Sequence, residues 1–361
     1  MKRALTMDDI EAAVLGGAIL GGGGGGFVEK GLRTAELALT VGTPQLWTLD
    51  EFDDDDLVAT VALVGAPAAP SPLVTPRHLM RALELLNREL PGREIVAINS
   101  NENGAETTVN GWFQSAMSGL PVIDLACNGR AHPSSVMGAM GLHLREDYVS
   151  IQAYAGGHPH QYLEGATTGN LDATSGVVRR ASMDAGGWVG VARNPVSVAY
   201  SRDHGAPGAI TSAIELGRTY LAGGLDAAVE HLDGRIVTTG RVRGFACRQE
   251  EGLDVGVVTL DDTHRTALHF VNEYMVLEQG STRISAFPDL IMTFVADGAS
   301  AESGRPRPVP SGVVEEGMEL TVVTVPAEKL ILAETMFMPE LYAPLEAALD
   351  RRFAPAVLAG A

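Results

Sequence analysis

Six consecutive glycines, Gly21 to Gly26, follow directly on an apolar helical run, and they restrict what this chain can build. Without a Cβ, glycine weakens a helix but admits backbone at φ > 0 and lets a neighbour come close. Upstream, Thr6 with Asp9 resembles a capping box, and Ile10, Ala13, Val14 and Ala18 recur at helical spacing. A helix therefore precedes the glycines. A dinucleotide fingerprint needs a strand there and a ribose-binding acid beyond it. A phosphate-cradling P-loop ends in Gly-Lys-Ser/Thr, whereas Gly26 is followed by Phe27, Val28 and Glu29. Both nucleotide readings fail on context, and no nucleotide cofactor is expected. Two readings stay open: a turn between packed helices, or a nest of N–H groups at Gly23, Gly24 and Gly25 facing a ligand oxygen.

With 361 residues, two domains are expected. Strand-like runs at Val58–Gly65, Glu94–Ser100 and "PVIDLA" alternate with a helix at Pro76–Leu90 and a helical second half of "ETTVNGWFQSAMSGL". That alternation predicts an α/β N-terminal domain over 1–167, carrying the glycine turn. After Thr167–Gly176 come a helix, a strand and the helical Ser212–Gly224. From Arg235 short β-like runs dominate, with a polar Gly/Pro/Ser loop at Ala296–Gly312. Residues 168–361 are expected to form a β-rich α+β C-terminal domain.

A formal charge of −19 argues against nucleic acid or an anionic membrane surface as partner. No uninterrupted apolar run reaches the ~18 residues of a membrane span. The start has Lys2 and Arg3, but Asp8, Asp9 and Glu11 interrupt its apolar stretch, which makes a poor signal peptide. Cys127 and Cys247 form neither a disulfide framework nor a CxxC motif. A cytoplasmic location is expected, and the apolar first helix and long β-rich half suit a homo-oligomer.

Candidate chemistry gathers in three loops. "NSNENGAETTVNGW" follows a predicted strand at its carboxyl end, where open α/β sheets place ligands. Glu102 there could act as a general base, a metal ligand or a hydrogen-bond acceptor, beside the amide of Asn103. Glu106 reads instead as a turn and helix-capping residue. "DLACNGRAHPSSVMGAMGLH" brings Asp124, Cys127, Arg130, His132 and His143 close in sequence, again behind a strand. Cys127 and His132 could bind zinc; Cys127 could instead be a nucleophile, or a small buried core residue. Arg130 in its glycine-flanked loop suits a substrate carboxylate or a structural salt bridge. In "GGHPHQYLEG", His158 and His160 would share one face of an extended strand and with Glu164 could complete a metal site; the alternative is an ordinary surface loop. His204 and the pair Asn272–Glu273 are isolated candidates, for which a satisfied core polar group is the ordinary alternative.

Taken in order, these stretches resemble the S-methyl thiohydantoin desulfurase-like proteins, a family found beside hydantoinase/oxoprolinase proteins. A helix running into the glycines ("LGGAILGGGGGG"), "ENGA" at Glu102–Ala105 and "GLPVIDLACNGRAHPS" at Gly119–Ser134 carry the likeness. In the second half it rests on "GAPGAITSAIELGR", "GRVRGF", "VNEYMV" and "FPDLIMTF". Phe27-Val28 stand where the family commonly has Asp-Pro, Ala126 where it has an acid and Cys127 where it has glycine; His132 and Ser134 replace an aromatic residue and an acid. The resemblance implies a site at the junction of the two domains and hydrolytic loss of methanethiol from a methylated thiohydantoin, giving a hydantoin. It matches Glu102, Asp124 and Arg130 to polar positions of the family pattern and Gly23 to Gly26 to its glycine run. Expected roles are therefore Glu102 or Asp124 as base or metal-orienting acid, Arg130 on a substrate carboxylate, and Gly23, Gly24, Gly25 and Asn103 as substrate contacts. Cys127, His132, His158 and His160 are the expected zinc ligands. Alternatives from other classes are a non-catalytic subunit of a hydantoinase/oxoprolinase-type complex and a ligand-binding regulatory module.

Overall fold

The computed structural model describes residues 1–65, 71–250, 252–298 and 304–355. Its helices are α1 (Met7–Leu20), α2 (Val28–Val41), α3 (Pro76–Arg88), α4 (Trp112–Ser118), α5 (Leu171–Asp184), α6 (Val198–His204), α7 (Ala209–His231) and α8 (Ala343–Leu349). The first sheet has four parallel strands at its centre, in the order Gln45–Trp47, Val122–Ala126, Ile95–Ser100, Leu57–Gly65. Parallel neighbours need crossovers, and α3 and α4 provide the two that lead into Ile95–Ser100 and then Val122–Ala126. Helix α3 starts where Pro76 sits just behind the N-cap Thr75, and it buries Ala82, Leu83 and Leu86. Strand Leu57–Gly65 is buried from Leu57 to Ala62, as a strand covered on both faces should be. Trp188–Ser197, Ser150–Gly156 and Leu163–Gly169 extend the sheet antiparallel on one side, and Lys2–Ala4 closes the other edge.

The second sheet contains eight strands among the described residues, all antiparallel: Thr282–Ala286, Glu273–Gln279, Thr266–Val271, Leu253–Asp261, Arg235–Glu250, Glu319–Val325, Leu290–Val295 and Arg307–Pro308. An α/β domain followed by a β-rich one is thus the architecture. Trp188–Ser197 and Ala206–Pro207, which follow residue 167, also belong to the first sheet. In the loop Ala296–Gly312, Arg307–Pro308 adds a short edge strand, and residues 299–303 lie outside the described ones.

Helices α1 and α7 join the two layers. Ile10, Ala13 and Val14 of α1 pack with Ile98, Val122 and Ile210, while Ile19 and Leu20 pack with Leu290, Met292 and Phe294 of the second sheet. The helices cross at backbone contact. A Cβ on Gly16 would lie 1.8 Å from the Ala213 carbonyl oxygen, and one on Gly217 1.8 Å from that of Ala12. The sequence predicts an end at Gly224; α7 instead kinks there (φ 72°) and continues to His231. Among the described residues no helix is long and apolar enough to cross a membrane.

Candidate functional site

The glycine run lies where α1 ends, between two loops of the first sheet and a hairpin of the second. Its carbonyls are shared out: Gly22 accepts from the Tyr274 N–H at 2.8 Å, Gly23 from Ser311 at 2.9 Å and Gly25 from Glu106 at 2.9 Å. Gly22, Gly23, Gly25 and Gly26 have φ between 58° and 99°, the left-handed region. The surroundings also leave no room for side chains. A Cβ on Gly22 would meet Arg130 Nη2 at 2.1 Å, one on Gly24 would meet Glu273 Oε1 at 1.9 Å, and one on Gly25 would meet Gly104 Cα at 2.5 Å. Bare backbone is thus threaded between Arg130, Glu273 and the Glu102 loop. Among the described residues, no protein acceptor takes the N–H of Gly23, Gly25 or Gly26.

Glu102 leaves the carboxyl end of strand Ile95–Ser100, and His132 stands in the loop after Val122–Ala126. Main-chain bonds fasten the loops together: Cys127 N–H donates to Ser100 and Asn101 carbonyls, and Ala131 N–H to the Asn103 carbonyl. The Ser100 hydroxyl donates to the Glu102 and Thr107 carbonyls, which fixes the turn carrying Glu102. Glu102 Oε2 comes within 2.8 Å of His132 Nδ1, with side chains only 10% and 4% exposed. A carboxylate so close to a ring nitrogen places the proton on Nδ1. The Asn128 amide lies 2.6 Å from the same nitrogen, and its Oδ1 has no other partner, so we assign Oδ1 toward the ring.

Four buried groups feel the charge on Glu102: Cys127, Arg130, Arg193 and Glu273. Arg130 is anchored through Nη1, which donates to the Pro288 and Asp289 carbonyls at 3.2 and 2.7 Å, and its guanidinium lies over the Phe287 ring. Its Nε and Nη2 are buried without a partner. Burial lowers the Arg130 pKa to about 10, with the Glu273 carboxylate pushing the other way. Arg193 precedes Asn194, a left-handed residue (φ 52°) at a register shift against Leu57–Gly65, and its buried Nε is likewise unpartnered. Bulges of this kind re-aim side chains beside sites. Glu273 follows Asn272, whose φ of 55° turns Thr266–Val271 back into Glu273–Gln279. Burial raises the Glu273 carboxyl well above the ordinary range and the Glu102 charge adds to this, with Arg130 opposing both. Its Oε2 has no partner.

The remaining sequence candidates have other duties. Asp124 accepts from the Ile210 and Thr211 N–H groups at 3.1 and 3.0 Å and from the Thr211 hydroxyl, so both oxygens hold the start of α7. Asn103 brackets the fold by donating to Gly129 and Ala209 carbonyls and accepting from Thr108. Glu106 accepts from Phe27 N–H, the N-cap of α2, so the capping role holds, though the carboxyl is mostly buried rather than solvated. The expected zinc set does not assemble. Cys127 is fully buried between Thr60 Oγ1 and Asn99 Nδ2, and burial raises its thiol pKa, whereas His132 Nδ1 is held by Glu102. His158 and His160 lie on a loop rather than a strand, with His158 against Ser71 Oγ at 3.1 Å and the two rings stacked. Among the described residues no group of three or more His, Cys, Asp or Glu is placed to hold a metal ion. Sequence reasoning missed Arg193; its only signal is a charge in an apolar strand directly before Asn-Pro.

Fold and site together define a two-domain α/β–β protein with a buried polar cluster at the carboxyl end of its parallel strands, closed by a hairpin of the second domain. This chain belongs to the S-Me-THD-like family: the model of that family's N-terminal domain matches residues 8–158 and that of its C-terminal domain residues 170–338. Comparison with curated proteins finds no match. Among solved structures, a crystal structure of a protein from Chromobacterium violaceum has the same fold, with a TM-score of 0.72, 20% identity and 96% of each chain covered.

Proposed function

We propose that the cluster hydrolyses an S-methyl thiohydantoin-type ring: water adds to the amidine-like carbon bearing sulfur, methanethiol leaves and a hydantoin remains. The family supplies the class of substrate, and the Glu102–His132 contact of 2.8 Å is the observation that carries the chemistry. His132 holds one oxygen of Glu102, and the carboxylate, the less buried of the two side chains, offers the other to a water. That is the geometry of a general base with its orienting partner. Arg130 and Arg193 keep the surroundings positive, which favours negative charge developing on the attacked group.

Methanethiol release from an S-methyl thiohydantoin tests the reading. Glu102→Gln keeps the shape and removes the base, so the rate is expected to fall by about 10²–10⁴-fold. Its melting temperature should stay near that of the wild type. A Glu102→Gln protein retaining more than about a tenth of the wild-type rate would remove Glu102 from the chemistry. No turnover on thiohydantoins, hydantoins or lactams, together with tight co-purification of a hydantoinase/oxoprolinase-type partner, would favour the non-catalytic subunit.

A further inference from the structure

Resting on that reading, we propose that Glu273 and Arg130 form the half of the site that reads the ring, Arg130 donating to a ring carbonyl and Glu273 engaging the adjacent ring nitrogen as its proton donor. Three observations converge. The Nε–Nη2 edge of Arg130 is a planar fork, buried and without a partner, while Nη1 is pinned by two carbonyls, so the fork has a fixed direction. Glu273 Oε2 is equally buried and unpartnered, and the two side chains sit against the same glycine run, Arg130 at Gly22 and Glu273 at Gly24, each within range of the other's charge. Buried polar atoms without a bond are costly, and two of complementary kind beside one stretch of bare backbone mark a place for a ligand with a matching edge. A carbonyl next to a ring nitrogen presents that edge, and five-membered cyclic imides and ureides carry it.

The groups facing Glu273 decide its protonation. Burial and Glu102, from the loop after Ile95–Ser100, oppose its ionisation; Arg130, from the loop after Val122–Ala126, favours it but is outweighed, so the acid form is favoured. Burial thus sets Glu273 apart as the acid of the pair, with Glu102 beside it in the role of base proposed above. As the water oxygen bonds to carbon, Glu102 takes one water proton and Glu273 gives its own proton to the ring nitrogen. The C–S bond then breaks, methanethiolate takes the proton held by Glu102, and the hydroxyl of the tetrahedral carbon returns a proton to Glu273 as it becomes a carbonyl. Water and substrate are consumed, hydantoin and methanethiol are formed, and both carboxyl groups are restored.

The test separates binding from turnover. Calorimetric titration of the full chain with hydantoin, 1-methylhydantoin and 3-methylhydantoin is expected to show one of the methylated rings binding about tenfold or more weakly than hydantoin. Glu273→Ala should bind all three alike. Glu273→Gln, nearly isosteric and able to offer donor and acceptor, should hold hydantoin within about threefold of the wild type yet release methanethiol about 10²-fold more slowly. Wild-type kcat/KM should decline as pH rises through the raised Glu273 value, and this limb should be missing from Glu273→Gln. Selective imide binding by a wild type that releases no methanethiol would refute the proposed reaction and leave the ring-reading pair standing. Turnover and binding unchanged in both Glu273 variants would overturn the pair and leave the Glu102 base standing. If the wild type neither binds hydantoin nor turns over, both fail.

Discussion

Asp124 places both carboxylate oxygens on the first turn of α7, where they meet two buried N–H groups and a hydroxyl. Truncating it strands those donors, so Asp124→Ala is expected to lower the unfolding free energy by about 2–3 kcal/mol, read from the urea midpoint. An Asp124→Ala protein as stable as the wild type but inactive would put the residue back in the chemistry. From the sequence, Asp124 and Glu102 look alike, each an acid near the carboxyl end of a strand. The difference is one of facing: Asp124 lies within its strand and meets α7, whereas Glu102 lies two residues past the end of its own, on a turn. Arg193 and Glu273 are hard to recognise for a related reason. Alternation along a strand tells which face a residue takes, but left-handed Asn194 and Asn272 reset the alternation beside them.

For the elements, periodicity is enough to find α1, α3 and three of the four parallel strands, because their apolar residues repeat at 3.6 or run unbroken, whereas Gln45–Trp47 is too short to show a pattern. It does not find the turn inside "HFVNEYMV", where one asparagine folds a continuous-looking strand into two, nor the kinked extension of α7. The glycine run is visible as a break, yet its partners are distant in sequence and show only in three dimensions. Its members can be told apart by substitution. Gly24 keeps φ outside the left-handed region, and an added methyl meets the Glu273 side chain first; Gly25 has φ 74° and meets the backbone of Gly104. Gly24→Ala is expected to cost about 1–3 kcal/mol by crowding and to suppress turnover by displacing Glu273. Gly25→Ala adds about 1–2 kcal/mol for the left-handed conformation and should unfold at the lower urea concentration. The reverse order of midpoints would contradict this assignment of contacts.

Across the whole molecule, the two sheets share too much to melt apart. Helix α1 packs on both, Arg130 of the first domain is bonded to carbonyls of the second, and Ala333 N–H from the C-terminal segment donates to the Asn128 carbonyl. Scanning calorimetry is therefore expected to show one cooperative transition with equal calorimetric and van't Hoff enthalpies, and two resolved peaks would refute it. The same interlocking bears on the length of the glycine tract. A tract of six identical residues carries no mark in its own letters to say where one ends and the next begins. Here, however, Gly22, Gly23 and Gly25 each answer to a different partner: Tyr274, Ser311 and Glu106. A seventh glycine would leave the composition almost untouched and misaddress every bond downstream of it, so in this stretch the count matters to the fold as much as the letters.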